Sequence, residues 1–339
     1  MPNNAAWDTA TTVPAERDAQ AVSLSVAARA AAISTDYPEA TISGSGFGAR
    51  YSSINVYENY NGYDDGLRAN DIGYNGAENP YNLFAHIQST DSHEGNGKAL
   101  ELIYPADGNR FPKINRPIDP VETLYAAFWF KWTAPPDAGD VGIFKLFRTG
   151  DLPVYSASPK FFETIRAFNG IQNAMDVSVS VDDPNSSSNG WVGNRVNRKH
   201  ANQWHWVEFF CVLSTPGVAD GRYFGRANGQ TVFSRDAFVT RYEADARLRY
   251  VIGSFTGRDR NAHETGVYQS EEYLSESMAR VVITDNADYA LSTKWQIQPI
   301  VSWSSTSITY GQVLGTVSAA AAFRHVFNES DQLILSEAV

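Results

Sequence analysis

Thr123-Leu124-Tyr125-Ala126-Ala127-Phe128-Trp129-Phe130-Lys131-Trp132 is the stretch on which the reading of the fold turns. In an extended chain successive side chains point to opposite faces, so Leu124, Phe128 and Phe130 lie on one side and Tyr125, Trp129 and Lys131 on the other. Both faces are apolar, but only the second carries polar handles. This pattern predicts a central strand, covered on one side by a second sheet and facing a groove on the other.

Outward from that strand, further candidates follow in series: Lys98–Tyr104, Gly142–Arg148, Met175–Asp182, Trp204–Leu213, Gly221–Phe224, Arg249–Phe255 and Ala279–Thr284. Clusters such as Ala134-Pro135-Pro136-Asp137 and Asp183-Pro184-Asn185-Ser186 punctuate them. In Met175–Asp182, Met175, Val177, Val179 and Val181 alternate with Asp176, Ser178, Ser180 and Asp182. No helical pattern alternates with these strands, which disfavours a parallel sheet and leaves two packed antiparallel sheets as the expected solution.

The whole chain fits that class. It has 339 residues, 43% apolar and 19% charged, with a formal net charge of −11, the make-up of a globular protein. An acidic balance argues against nucleic acid, which is bound by clustered Lys and Arg. No apolar run reaches the ~18–20 residues of a membrane span, and the N-terminus lacks the basic-then-apolar pattern of a Sec signal peptide. Aromatic residues make up 13%, suited to pleated half-buried surfaces and to stacking on sugars. The single cysteine, Cys211, sits in an apolar strand and reads as a small buried hydrophobe.

Residues 1–40 stand apart. Pro14-Ala15-Glu16-Arg17-Asp18 opens an alanine-rich stretch in which Val22, Val26, Ala30 and Ile33 recur at helical spacing. An arm and one amphipathic helix are expected there, with a stripe too thin to be stable without docking. Tyr57–Asn82 reads as a long loop rich in Asn, Gly, Asp and Tyr.

The order of features resembles the concanavalin A-like lectin/glucanase jelly roll, the sandwich shared by legume lectins, laminin-G-like modules and several polysaccharide lyases. The resemblance is carried by Leu124–Trp132, by Lys145-Leu146-Phe147-Arg148, by Trp204-His205-Trp206-Val207-Glu208 with Asp220-Gly221 after it, and by Ala279-Arg280-Val281-Val282-Ile283. Ile42-Ser43-Gly44-Ser45-Gly46-Phe47-Gly48 and Trp303-Ser304-Ser305-Thr306-Ser307-Ile308-Thr309 resemble two strands of an immunoglobulin-like TIG module. Together these imply an all-β chain: a concanavalin A-like antiparallel jelly roll over 81–290, a small TIG-like module from 41–80 and 291–339, and the arm and helix of 1–40. The arrangement is also similar to uncharacterised phage and marine environmental proteins.

The same residues bear on chemistry. Glycoside hydrolysis needs paired carboxylates facing one groove, and no strand carries them at alternate positions. A β-eliminating lyase needs a group that neutralises the uronate carboxylate and a Tyr or His at the C5 proton. Gly266-Val267-Tyr268-Gln269 resembles part of the motif of family 7 alginate lyases, which implies Tyr268 as catalytic base and acid with Gln269 beside it. Two stretches depart from that family: Lys98-Ala99-Leu100-Glu101-Leu102 stands where it has Arg-x-Glu-Leu-Arg, and His86-Ile87-Gln88 reverses its Gln-Ile-His.

The six histidines show no metal-ligand spacing, and Asp182-Asp183-Pro184-Asn185 reads as a plain turn with an unsupported option for structural calcium. No cofactor is expected. Tyr125, Trp129, Lys131, Asp176, Trp206 and Glu208 combine flat apolar faces with hydrogen-bonding handles, the combination that binds sugars. The first expectation is therefore a non-enzymatic phage virion protein, a capsid decoration or tail-fibre component. It would assemble with its own copies and other virion proteins through residues 1–40 and present a jelly roll to host or environmental glycans. The alternative is a secreted polysaccharide lyase acting on a uronate polymer.

Overall fold

In the computed structural model the described residues are 37–339 apart from 53, 67–84, 94–96, 105–113, 134–142, 151–161, 170–173, 183–189, 193–197, 201, 242 and 257–264. The expected arm and helix, the calcium turn beyond Asp182 and most of the 57–82 loop lie outside them.

The described chain is built from strands joined by turns. In order these are β1 (Glu39–Ser43), β2 (Asn55–Glu58), β3 (Ala85–Gln88), β4 (Ala99–Tyr104), β5 (Ile114–Val121), β6 (Thr123–Trp132), β7 (Ile143–Gly150) and β8 (Phe162–Asn169). Then come β9 (Ala174–Asp182), β10 (Gly190–Val192), β11 (Arg198–His200), β12 (His205–Val212), β13 (Gly221–Ala227), β14 (Gln230–Phe238) and β15 (Leu248–Thr256). The last are β16 (Thr265–Ser275), β17 (Arg280–Thr284), β18 (Trp295–Ile297), β19 (Ile300–Trp303), β20 (Ser307–Gly311), β21 (Phe323–Phe327) and β22 (Leu333–Ala338).

The largest sheet runs β14-β13-β12-β6-β16-β4-β3, with β2 also on β16, and the second runs β10-β9-β8-β7-β15-β5, with β11 on β9. Every pairing in both is antiparallel, giving a jelly-roll sandwich. As its sequence requires, β6 is central, bonded to β12 on one side and β16 on the other. One face of the large sheet, carrying Leu124, Phe128, Phe130, Phe209 and Leu274, is buried. Burying these side chains contributes roughly 1.5–3 kcal/mol each. On this face Arg116 of β5 pairs at 2.7 Å with Glu272 of β16, joining the two sheets.

Two small sheets complete the fold, β1-β20-β19 and β18-β17-β21-β22. The two stretches that bracket the sequence pair directly, with Ile42 opposite Ile308. Between the small sheets lies a core of Ile42, Phe47, Val281, Ile283, Ile308, Tyr310 and Val326. Two boundaries differ from the sequence reading. Arg280–Thr284, assigned to the jelly roll, forms β17 inside the second small sheet, between β18 and β21, where all five of its residues are buried, the Arg280 guanidinium in ion pairs. Residues 55–58, assigned to the small module, form β2 on the edge of the large sheet.

Candidate functional site

The remaining face of the large sheet divides into two halves along β6. Towards the start of that strand, Tyr125, Ala127 and Trp129 meet Trp206, Phe210, Phe224 and Tyr273 from neighbouring strands. Over them lie Met278, Val282, Tyr289, Trp295, Ile297, Val313 and Phe327 of the C-terminal strands and their connections. Trp295 also closes on the β13–β14 hairpin. Asn228 and Gly229 there both have positive φ, as a two-residue hairpin turn demands. A Cβ on Gly229 would stand 3.1 Å from the indole.

Glu208 lies beneath this cover in a charge network. Its Oε1 accepts from the Tyr125 hydroxyl at 2.8 Å and stands 3.1 Å from the Arg280 guanidinium, and its Oε2 accepts from the Tyr289 hydroxyl at 3.1 Å. Arg280 also reaches Asp331 at 2.9 Å, and Arg226 pairs with the same carboxylate. Burial alone would raise the Asp331 carboxyl, but Arg280 and Arg226 together hold it below its ordinary value. Burial pushes the Tyr289 phenol up, and Glu208 adds to the shift. The network fastens the C-terminal strands to the jelly roll.

Five of the six expected sugar-binding residues are therefore corrected. Tyr125, Trp129, Trp206 and Glu208 share the expected face but are buried in packing or ion pairs. Asp176 does not share it, because β9 belongs to the other sheet.

Lys131 remains, at the open end of β6, and a row of polar side chains extends from it. The pairing sets Lys131 opposite Tyr268, Tyr268 opposite Glu101, and Glu101 opposite His86, so four side chains from four adjacent strands stand in line. The Tyr268 hydroxyl donates to Glu101 Oε1 at 2.7 Å, and His86 Nε2 is 3.0 Å from Glu101 Oε2. The His86 hydrogen bond, against the opposing effect of burial and with help from Tyr268, holds the Glu101 carboxyl below its ordinary value. Lys131 pairs with Asp91, and its Nζ lies 5.6 Å from the Tyr268 ring centre and 5.7 Å from that of Trp204. Each member of the row is partly exposed. An ionised carboxylate that orients a phenol, with an ammonium near that phenol's ring, is a set of groups able to attract an anion and move a proton.

Gln269 does not join Tyr268. Alternation turns it to the opposite face, where it is buried and donates to Tyr60 at 3.4 Å. Glu101, His86 and Trp204 were not chosen from the sequence as site residues. The signal was present in the His86-Ile87-Gln88 and Leu100-Glu101-Leu102 alternations, which place His86 and Gln88 of the first and Glu101 of the second on the face of Tyr268 once the strands are in register. Among the described residues no group of three or more His, Cys, Asp or Glu is placed to hold a metal ion, and no helix is long and apolar enough to cross a membrane.

No family model and no curated protein matches the sequence. Among solved structures the chain is similar to the alginate lyase Aly36B, with 10% identity over 65% of this chain and 96% of that one and a TM-score of 0.47. It is also similar to the marine PL-14 alginate lyase from Aplysia kurodai (13% identity, 57% and 87% covered, TM-score 0.45). A third is the endo-beta-1,4-glucuronan lyase from the fungus Trichoderma reesei (12% identity, 66% and 95% covered, TM-score 0.45).

Proposed function

We propose that the open half of the face is the active site of a polysaccharide lyase that cleaves a uronate polymer by β-elimination. The observation that carries the reading is the row Lys131–Tyr268–Glu101–His86. Elimination requires a cation on the sugar carboxylate, which acidifies the C5 proton, and a group that takes that proton while the C4–O bond breaks. Lys131 supplies the charge, in exchange for its contact with Asp91. The Tyr268 oxygen takes the C5 proton as the phenol proton passes to the departing O4, so a C4=C5 double bond forms and the tyrosine ends as it began. Glu101 orients the phenol, His86 orients Glu101, and Trp204 offers an aromatic face to the sugar ring.

The test is absorbance near ~235 nm, where the unsaturated uronate product absorbs, across a panel of alginate, glucuronan and related polyuronates. Tyr268→Phe should lower the rate by about 10²–10⁴-fold while leaving thermal unfolding unchanged. No absorbance rise on any polyuronate sinks the reading. The virion location, assembly through residues 1–40, the TIG-like character of the small module and, apart from residues 55–58 and 280–284, the domain division read from the sequence are further proposals, supported by the sequence alone.

A further inference from the structure

Beneath the row is an arrangement that elimination does not use directly. Between Ser270, opposite Trp129, and Tyr273, opposite Ala127, β16 advances three residues while β6 advances two, so one extra residue is bulged out. Here β16 also exchanges its partner on the other side, β4 up to Gln269 and β2 from Glu272. Glu271 sits in the bulge at φ 55°, in the left-handed region that Gly or Asn adopts more easily. Its side chain is entirely buried (0% exposed). Bulge geometry alone calls for a glycine there, not for a carboxylate that is both strained and desolvated.

The carboxylate has a specific neighbour. Its Oε1 lies 3.2 Å from His93 Nδ1, close enough to accept the ring proton. The His93 ring stacks on Trp129, with centroids 3.5 Å apart and planes 13° from parallel, and meets Trp204 edge-on at 6.1 Å. Trp204 in turn bears Lys131 on its ring and meets Tyr268 edge-on at 6.4 Å. A continuous chain of contacts thus runs from the bulge to both groups of the proposed chemistry.

We propose that Glu271 and His93 are a positioning pair: by locking the imidazole on Trp129 they set Trp204, and through it the spacing of Lys131 from Tyr268. The pair touches no substrate, and its kinetic consequence rests on the lyase reading. Strain at the bulge is retained because the carboxylate is needed at that point.

The test compares Glu271→Gly, Glu271→Gln and His93→Gln with the wild type by crystallography, tryptophan emission and kinetics. Glycine suits the left-handed backbone, so Glu271→Gly should fold as well as the wild type or better, and any functional loss cannot be assigned to unfolding. In Glu271→Gly and His93→Gln the Trp204 indole should shift and emission should rise as the stacked imidazole leaves Trp129. The elimination kcat should fall about ten- to a hundredfold. Glu271→Gln, whose amide oxygen still accepts from Nδ1, should recover most of that loss. Unmoved Trp204 and unchanged emission in Glu271→Gly overturn the proposal, as does a full kcat with Trp204 displaced. If the wild type eliminates no polyuronate, the lyase reading fails, and the position of Trp204 in Glu271→Gly still decides whether the pair exists.

Discussion

Lys131 and Tyr125 lie on one face of one strand, six residues apart in the chain, and meet opposite fates. Lys131 stands beside a phenol and a carboxylate at the open surface, whereas Tyr125 is buried against Glu208 and Arg280. Around each is a similar set of groups: a tyrosine hydroxyl on a glutamate, with a basic side chain close by. In the covered half every charge is held by protein partners and the set works as a fastener. In the open half part of the set faces outward, where a charged ligand can compete for it. The same residue types are enclosed or left partly exposed according to what lies over them.

That contrast is open to direct attack. The largest effect is expected at Arg280→Ala, which leaves Glu208 and Asp331 buried with reduced compensation and should cost about 3–5 kcal/mol in chemical denaturation. A loss below about 1 kcal/mol would show that the C-terminal strands are not fastened there. Next is Asp331. Its folded carboxyl titrates below its ordinary value, so its stabilising contribution is complete above the unfolded value and disappears as pH falls through the folded one. Asp331→Asn should therefore lower stability at neutral pH and flatten its fall on acidification, read from melting temperature between about pH 6 and 2. Tyr125→Phe removes one hydrogen bond to Glu208 and should cost about 1 kcal/mol, with elimination unchanged. A marked loss of activity there would erase the division between the halves.

The smallest effect on stability belongs to the open half. His86→Ala removes the strongest influence holding Glu101 down, so the Glu101 carboxyl should rise. The acid limb of kcat/KM should then move to higher pH. An unmoved limb would mean that Glu101 takes no part in orienting Tyr268.

Much of the frame was legible because strand period and turn residues are local signals. Thr123–Trp132 was read with its observed bounds, and the assignment of Leu124, Phe128 and Phe130 to the covered face agrees with their burial. β16 was harder. A Glu-Glu pair, a bulge and an open polar end disrupt the alternation that marks a strand, although it lies at the centre of the large sheet. The same disruption concealed Glu271 as a partner of His93, 178 positions away.

The sequence by itself determined the antiparallel sandwich and the face to which each residue of β6 belongs, since both follow from a two-residue period and from side-chain polarity. Only the tertiary structure decided which part of that face is covered. Burial of Trp129, Trp206 and Glu208 depends on Tyr289, Trp295 and Phe327, and the row at Lys131 depends on the register of four strands drawn from residues 85–275. Neither relation is written in local spacing, because each arises from contacts between segments far apart in the chain.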